Sequence, residues 1–424
     1  MHDELGSARP SSPRVVGFLL AEALSAIGSW STMVAIWGYA AYTYDATAAD
    51  ISFFGLAFSL PPVLLGPLTG AVIDRIGPKA ALAVAKVIGV AASLALLGAT
   101  DFRTLALLSA LHGVAATFSH PALQAMPPRI VHDDHLARTN ALVSLTDELA
   151  IVLGPAAAGI SIAAFGFRGA FVFDAVTYAL GLAVLPLVRV RRARAEAGVD
   201  APTARFRDAL MGWRLVARSG ALRRVMACTF AVHVLYGMAL LVEPLYVRDV
   251  LGRSQDVFAA LQTAFGVFLV LGGIAAARLG NRLASFGWVA LGVGCSGLAA
   301  IVYLGTPVVV VAFVGVALWG VATATIGGPS RTLLQRNSPE TAHGRVLAAD
   351  FVAGGAAELA GIAAGGALVT AFGVTWTIAA LGSGVSVAAL ALWRADRRAS
   401  AAGADRQEPQ RPTAPSSLAV SSPD

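Results

Sequence analysis

Long apolar segments alternate with short polar turns along most of the chain. Residues 51–73 contain no charged residue, and residues 80–100 contain one, Lys86. Because a helix of about 20 apolar residues spans the hydrocarbon core of a bilayer, segments of this length are typical of membrane helices. The pattern predicts twelve such helices, over residues 15–43, 50–73, 80–99, 103–126, 139–165, 168–188, 224–247, 257–279, 285–304, 307–333, 345–371 and 374–393. The predicted fold is all-α and membrane-integral.

Composition supports a membrane protein and offers nothing for enzyme chemistry. Of the 424 residues, 57% are hydrophobic and 13% are charged, whereas soluble domains have about 25% charged residues. The mean hydropathy is +0.71. No phosphate-binding Gly-x4-Gly-Lys-Ser/Thr loop and no Gly-x-Ser-x-Gly nucleophile turn occurs in the sequence. Cys228 and Cys295 lie inside apolar segments, so we expect packing roles for them, and no disulfide framework, metal site or cofactor.

Polar segments divide the chain into two bundles of six helices. Residues 189–223 form the longest polar stretch between predicted helices. The run from Phe206 to Val216 has apolar residues at helical spacing, which predicts an amphipathic helix on the membrane surface; a plain soluble linker is the alternative. The predicted organisation is a disordered leader at 1–13, a first bundle at 14–188, this linker, a second bundle at 224–393 and a disordered tail at 394–424.

Basic residues are distributed unevenly over the connections. If both termini lie on one side, that side holds 26 of the 31 Lys and Arg residues, and the opposite loops hold four. Cytoplasmic loops of membrane proteins carry such an excess. We therefore expect cytoplasmic termini and a multi-pass location in the bacterial plasma membrane. The net charge of +6 is explained by topology, and nucleic-acid binding is not expected.

A short charged turn separates the predicted second and third helices. The segment 70–79, here called the latch loop, places Gly70, Asp74, Arg75, Gly77 and Lys79 in the pattern Gly-x3-Asp-Arg-x-Gly-x-Lys. A solvated loop with ordinary topogenic charges is one interpretation. The ordered pattern favours a conformational latch, in which the carboxylate accepts hydrogen bonds from a neighbouring helix or an Arg. This pattern resembles the signature loop of the major facilitator superfamily.

A second, weaker copy of the latch loop occurs in the second bundle. Aligned with the first copy, Gly273, Arg278, Gly280 and Arg282 keep the glycines and the basic pair, while Ala277 replaces the acid. Two parallel six-helix repeats are the construction of facilitator-type transporters, so the repeat agrees with the resemblance. We expect the first copy to be the stronger latch.

The predicted fifth helix contains Gly154, Pro155 and Gly159, with small residues between them. Proline removes one backbone hydrogen bond and permits a kink, and small residues permit close helix contact. Helix packing alone is one interpretation. The segment also resembles the antiporter signature of proton-driven exporters in this superfamily, although Ala158 stands where a second terminal Gly often occurs. That resemblance implies a role in sealing the interface between the two bundles.

Two connections on the predicted cytoplasmic side carry a further resemblance. The run from Pro128 to Leu142 leads into the fifth helix, and Gln335-Arg336 and Gly344-Arg345-Val346 occupy the matching loop of the second bundle. Together these segments resemble the branch of bacterial exporters that includes the enterobactin exporter. The resemblance implies nothing about the substrate.

Ionisable residues inside membrane helices are costly and are therefore functional candidates. On the first helix, Glu22 shares a polar stripe with Ser25, Ser29 and Thr32, at spacings of three and four residues. Such a stripe is expected to face a water-filled central cavity, where the carboxylate could bind a proton. Alternatively, Glu22 reaches back toward cytoplasmic water, because it lies only two turns into the helix.

Of the 31 Lys and Arg residues, Lys86 is the one that is assigned to neither side and is placed within the membrane. Asp147 and Glu148 lie at a similar depth on the fifth helix. The sequence predicts a buried Lys86–Asp147 or Lys86–Glu148 pair, with either a coupling role or a purely structural one.

Further titratable residues lie in the second bundle. His233 and Glu243 fall near one face of the seventh helix, and Asp350 and Glu358 lie on the eleventh. They are candidates for binding a proton or a cationic substrate. Asp174, on the sixth helix, is expected to be a structural hydrogen-bonding residue.

These features predict a secondary active transporter that works by alternating access, and no enzyme. The resemblance implies proton-coupled efflux of a small amphipathic molecule, such as a drug, a siderophore or a secondary metabolite. An importer or uniporter of the same fold, or a receptor-like membrane protein that transports nothing, is the alternative. The expected partners are the substrate, protons and the lipid bilayer, and we expect a monomer.

Overall fold

The computed structural model describes residues 12–190, 211–339 and 342–405, and nearly all of them are helical. Short helical turns connect the long helices at Pro127–Ile130, Asp133–His135, Leu185–Leu187, Tyr246–Val250 and Gly280–Arg282. The long helices are α1 (Pro13–Thr43), α2 (Ala48–Ile76), α3 (Pro78–Leu96), α4 (Phe102–Gln124), α5 (Leu136–Val184), α6 (Gly220–Leu245), α7 (Gln255–Leu279), α8 (Phe286–Leu304), α9 (Val309–Ala324), α10 (Gly327–Arg336) and α11 (His343–Asp405). This architecture confirms the predicted all-α fold.

Two of these helices are long enough to cross a bilayer twice. α5 turns at Gly166, with φ +69°, and α11 turns at Gly373, with φ +77°. Each of these glycines follows an Ala-Phe pair, and they lie 207 residues apart. Only glycine adopts such angles without strain, so one residue suffices to reverse the chain. Among the described residues, eight helical segments have the length and apolarity of a span; with α5 and α11 counted twice and α2 and α4 added, the arrangement is consistent with twelve spans.

The helices form two halves that repeat the same packing. In the first half (α1–α5), α1 lies along α5, and α4 packs against both α2 and α3. In the second half (α6–α11), α6 and α8 pack on α11, and α7 packs on α9. The halves meet along two seams, where α5 contacts α7 and α2 contacts α11. A fold of this kind places any central binding region between the halves or within one of them.

Closely apposed backbones form both seams. A Cβ added to Gly159 would collide with Ala259 and Thr263 on α7, and one added to Gly366 would collide with Ser52 on α2. Gly366 lies 207 residues after Gly159, and Ala259 lies 207 residues after Ser52. The two seams are therefore related by the internal repeat, and both depend on the absence of a side chain at one position.

The predicted helix at 307–333 is in fact two helices. α9 ends at Ala324, and α10 begins at Gly327. The break precedes Gly327, Gly328 and Pro329. The proline ring clashes with the carbonyl of the residue four positions earlier, Thr325, so a continuous helix is disfavoured there.

The tail prediction is wrong for its first residues, because α11 continues beyond residue 393 to Asp405. Ala and Arg favour helix in this segment. Asp396 also forms an ion pair of 2.9 Å with Arg224 on α6, and Arg397 lies over the ring of Trp393 at 5.1 Å. Residues 1–11 and 406–424, which hold most of the predicted leader and tail, lie outside the described residues.

The predicted linker helix is described only from residue 211 onward; Phe206 and Leu210 lie outside the described residues. Residues 211–218 are helical. Gly212 packs against the backbone of Arg345, which docks this segment on the second half. Val216 is buried, whereas the Trp213 side chain is 41% exposed and therefore available to a membrane surface.

Candidate functional site

A buried ion pair joins α1 and α3. Lys86 Nζ lies 2.8 Å from Glu22 Oε2 and donates a hydrogen bond of 2.8 Å to Ser25 Oγ. The predicted pairing of Lys86 with Asp147 or Glu148 is therefore wrong for Asp147, and the Glu148 side chain lies outside the described residues. α1 and α3 both pack on α5, and in this packing the Lys86 side chain extends to Glu22 and Ser25 on α1.

The pair is shielded from water. Glu22 and Lys86 are each 2% exposed, which excludes the alternative that Glu22 reaches back to cytoplasmic water in this conformation. The ring of Tyr178 lies 5.2 Å from Lys86 Nζ, close enough for a cation–π interaction. Oε1 of Glu22 is buried and has no hydrogen-bond partner among the described residues. An acceptor in this state is a natural place for a proton or a donor group of a ligand.

A second buried carboxylate, Asp174, organises the helices around this pair. Its Oδ2 accepts a hydrogen bond of 2.8 Å from Ser93 Oγ and lies 2.8 Å from His112 Nε2. Ser29 Oγ lies 3.4 Å from Asp174 Oδ1 and 3.0 Å from the hydroxyl of Tyr178. Asp174 is a hydrogen-bonding residue as predicted, and it links α1, α3 and α4 to α5.

A cavity of about 180 Å³ opens beside the ion pair. It lies in the part of the first half nearer the latch loop, since Glu22 and Lys86 are both early in their helices. Asp147 lines the cavity and lies 3.5 Å from His120 Nδ1. The lining side chains with polar or aromatic character are Glu22, Ser25, Ser29, Trp30, Lys86, Ser119, His120, Asp147 and Tyr178.

The predicted polar stripe on α1 is only partly on this cavity. Glu22, Ser25 and Ser29 line it. Thr32 is buried and donates a hydrogen bond of 3.4 Å to the carbonyl of Ala170 on α5. The described residues that line the cavity all belong to the first half, and the ring of His120 stacks on that of Phe351 on α11, with centroids 6.4 Å apart, which brings this wall next to the second half. That the stripe faces a central water-filled cavity stays a prediction.

The titratable residues of the second half are arranged differently. Asp350 Oδ1 accepts a hydrogen bond of 2.8 Å from Thr229 Oγ1. His233 Nδ1 lies 2.6 Å from the carbonyl of Thr229, which assigns the proton to Nδ1 and leaves Nε2 as an acceptor. Asp350 and His233 thus both bond to Thr229, and Gly237, one turn after His233, packs against the backbone of Glu358. The structure thus brings three of the four predicted residues of this half together.

Glu243 lies apart from that group. It is buried, at 7% exposure. The rings of Tyr236, Trp319 and Tyr303 form a continuous line that begins beside the ring of His233, with successive centroids 6.0 and 5.9 Å apart. Tyr236 also donates a hydrogen bond of 3.1 Å to Thr323. Aromatic faces beside acids suit a ligand that is both apolar and cationic.

The two latch copies share a turn. Gly77 has φ +85° and its N–H bonds the carbonyl of Ile73; Gly280 has φ +51° and bonds Ala276 in the same way. Gly77 and Gly280 are therefore explained by the positive φ angles at which these two helices end. Lys79 Nζ donates a hydrogen bond of 2.7 Å to the carbonyl of Val188, at the end of the same half.

The Arg residues of the two latch copies lie at the protein surface. Arg75, Arg278 and Arg282 are exposed. A Cβ at Gly273 would meet nothing within 4 Å, so close approach of another helix does not explain that glycine in this conformation. The Asp74 side chain and the surroundings of Gly70 lie outside the described residues, and the latch role of Asp74 stays a prediction.

At the opposite end of the bundle, called here the closed end (residues 41–47 and 246–254), the halves are clamped together. Arg248 donates hydrogen bonds to the carbonyls of Ala41 and Ala46, across the halves, and pairs with Asp249 at 2.6 Å. Tyr42 donates to the carbonyl of Arg253 at 3.3 Å. Sequence reasoning assigned Arg248 to topology alone, since nothing in its spacing indicates these acceptors.

The antiporter-like segment lies at one seam. A Cβ at Gly154 would collide with Trp30 on α1, and Gly159 faces α7 across the seam. Pro155 is buried inside the continuous α5 helix. The same spacing of glycines recurs 207 residues later, at Gly361 and Gly366, without the proline. This recurrence was visible in the sequence and would have predicted both seams.

Comparison with known proteins decides the family. A sequence model described as the Major Facilitator Superfamily matches residues 18–361, and also 225–423. The chain belongs to the Major Facilitator Superfamily. Its members are membrane transporters, so the predictions of a multi-pass transporter and of no enzyme are confirmed. The enterobactin exporter branch stays a prediction.

Curated relatives agree with this superfamily. The Uncharacterized MFS-type transporter YfiS of Bacillus subtilis (strain 168) is 22% identical over 368 residues, which are 84% of this chain and 87% of that protein. The Uncharacterized MFS-type transporter y4rN of Sinorhizobium fredii is 24% identical over 373 residues, covering 84% of this chain and 89% of that protein.

Solved structures of the superfamily have the same fold. A bacterial homologue of the human lysosomal transporter Spinster, in an inward-facing and unoccupied conformation, superposes with a TM-score of 0.69 at 16% identity, over 91% of this chain and 98% of that chain. A D-xylose–proton symporter superposes with a TM-score of 0.67 at 18% identity, over 89% and 97%. At these identities the likeness shows the fold alone.

Proposed function

We propose that this superfamily member exports a small amphipathic molecule, such as a drug, a siderophore or a secondary metabolite, in exchange for protons. The observation that carries the proposal is the Glu22–Lys86 pair on the wall of a cavity, with Glu22 Oε1 unpartnered among the described residues. A buried pair of this kind is sensitive to any change of charge, because removing one charge leaves the other without compensation.

Proton binding at Glu22 would act through Lys86. A protonated carboxyl no longer attracts the ammonium group, which keeps Ser25 and the face of Tyr178 as its partners. A cationic substrate competes for the same carboxylate and for Asp147 on the opposite wall. Binding of a proton and binding of the substrate are then mutually exclusive, which is the requirement for exchange.

Alternating access requires that one end of the bundle is closed while the other is open. In this structure the Arg248 clamp and the two glycine seams join the halves at the closed end, and the cavity lies toward the latch loop. With the proposed cytoplasmic termini, this is a conformation closed to the outside. We propose that the latch loop holds the reverse conformation, in which Asp74 and Arg75 contact the other half.

The latch proposal has its own test. Asp74→Asn should reduce transport far more than any change at Ala277, because only the first copy retains the acid. Equal effects of Asp74→Asn and Ala277→Asn would contradict a dominant first latch.

Direction and coupling are tested with inverted membrane vesicles loaded with an acidic interior. An exporter should drive uptake of an amphipathic cationic dye such as Hoechst 33342 into these vesicles, and a protonophore should abolish it. The double variant Glu22→Gln with Lys86→Ala, which leaves neither charge buried alone, should lose the dependence on the gradient. Uptake that ignores the gradient would contradict antiport and favour a uniporter, and dye movement only in right-side-out vesicles would favour an importer.

The remaining assignments also belong to this proposal. We propose a monomer in the bacterial plasma membrane with both termini in the cytoplasm. A receptor-like protein that transports nothing is the rival from another class, and the buried charges beside a cavity argue against it because they are costly to retain. Absence of transport with a broad dye panel, in protein that remains folded, would favour that rival.

A further inference from the structure

We propose that a groove beside the latch loop binds the headgroup and first acyl segment of an anionic phospholipid. The groove has a volume of about 540 Å³ and is formed by the start of α3, the end of α5 and the short helix Pro127–Ile130. It is separate from the cavity at Glu22. Its lining residues are Ile76, Gly77, Pro78, Lys79, Ala80, Ala83, Arg129, Leu182, Leu185, Pro186 and Val190.

The charges at the groove are positive. Lys79 and Arg129 are the titratable side chains among its described lining residues. The N-terminus of α3 also opens here: Gly77 offers no side-chain cap, and Pro78 occupies the first helical turn. The backbone N–H groups of that turn therefore add the positive end of a 19-residue helix to the two cations. A phosphodiester matches this arrangement.

Lys79 retains capacity for such a ligand. Its ammonium group donates to the carbonyls of Val188, at 2.7 Å, and Pro186, at 3.4 Å. An ammonium group has three donors, so one remains, and the two carbonyls hold Nζ in place. This anchoring reduces the entropy that would be lost when a phosphate binds.

The apolar part of the groove continues along the membrane surface of α3. Ala80, Val84, Val87, Ala91 and Leu94 are exposed. They recur at intervals of three and four residues and so form one stripe that begins at Ala80, next to Lys79. A cation at the top of an apolar stripe at the end of a span fits a phospholipid, whose phosphate and acyl chain are joined. Anionic lipids are enriched in the leaflet where we place this end.

The second half lacks the same features and supplies an internal control. The equivalent turn at Gly280 continues as Gly280–Arg282 and not as a long helix, and α8 begins only at Phe286. That helix is capped by Ser285, whose Oγ accepts from the N–H of Trp288 at 3.4 Å. Arg278 and Arg282 are therefore basic and exposed at a matching place without an uncapped helix start.

The test measures lipid binding and needs no transport. Full-length protein is purified, stripped of lipid, and titrated with phosphatidylglycerol or phosphatidylcholine of the same acyl chains, with native mass spectrometry to count the first bound lipid. We expect phosphatidylglycerol to bind more tightly, and Lys79→Gln with Arg129→Gln to weaken it by about tenfold or more, since two charge-assisted contacts are lost. Phosphatidylcholine binding should change little, and Arg278→Gln with Arg282→Gln should leave both lipids unaffected.

Lys79 also holds the segment that follows α5, through its bonds to Pro186 and Val188, so its loss would disturb the groove as well as the charge. A second variant therefore leaves both charges intact. Ala83→Leu places a larger side chain in the apolar part of the groove and should weaken the same lipid. Glycerol phosphate at millimolar concentration should not displace it, because the acyl segment contributes.

Equal affinity for the two lipids, an equal loss in the Arg278/Arg282 control, or full affinity in both groove variants would overturn the proposal. Complete displacement by glycerol phosphate would also overturn it in favour of a site for free phosphate esters. None of these outcomes depends on whether the protein exchanges protons, so failure here is distinguishable from failure of the proposed function.

Discussion

The two halves of this transporter share their backbone packing but differ in their charges. Gly154 and Gly159 correspond to Gly361 and Gly366, and both glycine pairs sit where neighbouring helices approach closely. In contrast, Glu22 corresponds by the same interval to Thr229. The repeat therefore preserves the glycines at which helices approach closely, whereas the acid of the ion pair is not repeated.

The acids of the two halves also have different partners. In the first half, Glu22 is paired with a Lys at 2.8 Å. In the second half, Asp350 accepts a hydrogen bond from the hydroxyl of Thr229. Removing one member of a buried ion pair leaves the other charge without compensation, whereas a neutral hydroxyl partner leaves no charge behind. The ion pair of the first half is therefore the contact that a change of charge should disturb most.

The largest expected effect follows from breaking that pair. Lys86→Ala leaves Glu22 buried without its partner and should destabilise the protein by about 3–5 kcal/mol. The double change Glu22→Gln with Lys86→Ala should recover much of this loss, as measured by thermal unfolding in detergent. Transport should remain uncoupled in the double variant. A folded Lys86→Ala protein that pumps normally would exclude a coupling role for Lys86.

A change at a seam should have the next largest effect. Gly159→Leu places a side chain against Ala259 and Thr263, and overpacking of this kind costs about 1–3 kcal/mol. Because the seam closes only in one conformation, we expect transport to fall more than stability does. Gly384→Leu is the matched control, since a Cβ there would meet nothing within 4 Å. Similar losses of transport in the two variants would argue against a specific seam.

Asp174 and Asp350 offer a direct comparison between the halves. Asp174→Asn turns one of the two carboxylate oxygens that Ser29, Ser93 and His112 contact into an amide NH2 group, and weakening these buried contacts costs about 1–3 kcal/mol. Asp350→Asn affects one described hydrogen bond, from Thr229, and an amide oxygen can still accept it. Thermal unfolding should therefore show a clearly larger loss for Asp174→Asn. The reverse order would mean that the second half depends on its acid for stability.

The clamp at the closed end should affect conformation more than stability. Arg248→Ala removes the hydrogen bonds to Ala41 and Ala46, and exposed or half-exposed pairs of this kind contribute about 0.2–1 kcal/mol. We expect the population to shift, so that a cysteine introduced at Tyr42 reacts faster with a membrane-impermeant maleimide. Arg253→Ala is the control, because its contact with Tyr42 uses the backbone carbonyl. An unchanged labelling rate in Arg248→Ala would show that these hydrogen bonds do not hold the end closed.

The smallest expected effect is a pH dependence confined to the first half. Asp101 caps α4, and hydrogen bonds from the N–H and hydroxyl of Thr104 hold the pKa of its carboxyl below the usual value. The matching helix, α9, starts at Val309, and its N-cap residue, Val308, provides no side-chain cap. Since the folded pKa is depressed, the stabilisation is present above the unfolded pKa, roughly 4, and is lost as pH falls through the folded value.

That dependence is measured as the melting temperature between pH 6 and pH 3, in intervals of roughly half a unit. Asp101→Asn should show a shallower decrease than the native protein, because Asn caps the helix without titrating. Parallel curves for the two proteins would assign the acid sensitivity to other carboxyl groups.

Much of the fold followed from local properties of the sequence. Apolar length located the helices, and the glycines at 77 and 280 marked the ends of α2 and α7, because only glycine tolerates the backbone angles there. Errors arose where a local breaker was overlooked, as at Pro329, or where a polar segment was assumed to be disordered, as beyond residue 393.

The contacts within the candidate site were harder to predict from the sequence than the fold. The sequence identified Glu22 and Lys86 as embedded charges but paired Lys86 with Asp147, since depth along a helix is readable while its rotation is not. Likewise, Asp174 was recognised as a hydrogen-bonding residue without its partners Ser93 and His112. Each missing fact concerns residues on helices that are far apart in the chain.

By itself, the sequence determined that this is a membrane transporter of two repeated halves, because span length, turn glycines and the latch pattern are properties of continuous segments. Only the tertiary structure decided which charges meet, where the halves are joined and where the groove beside Lys79 opens. These features depend on how each helix is rotated about its axis and on which helices it packs against. The helical period shows which residues share a face but not which neighbour that face contacts, so the meeting of Glu22, Lys86 and Tyr178 is seen only in the folded structure.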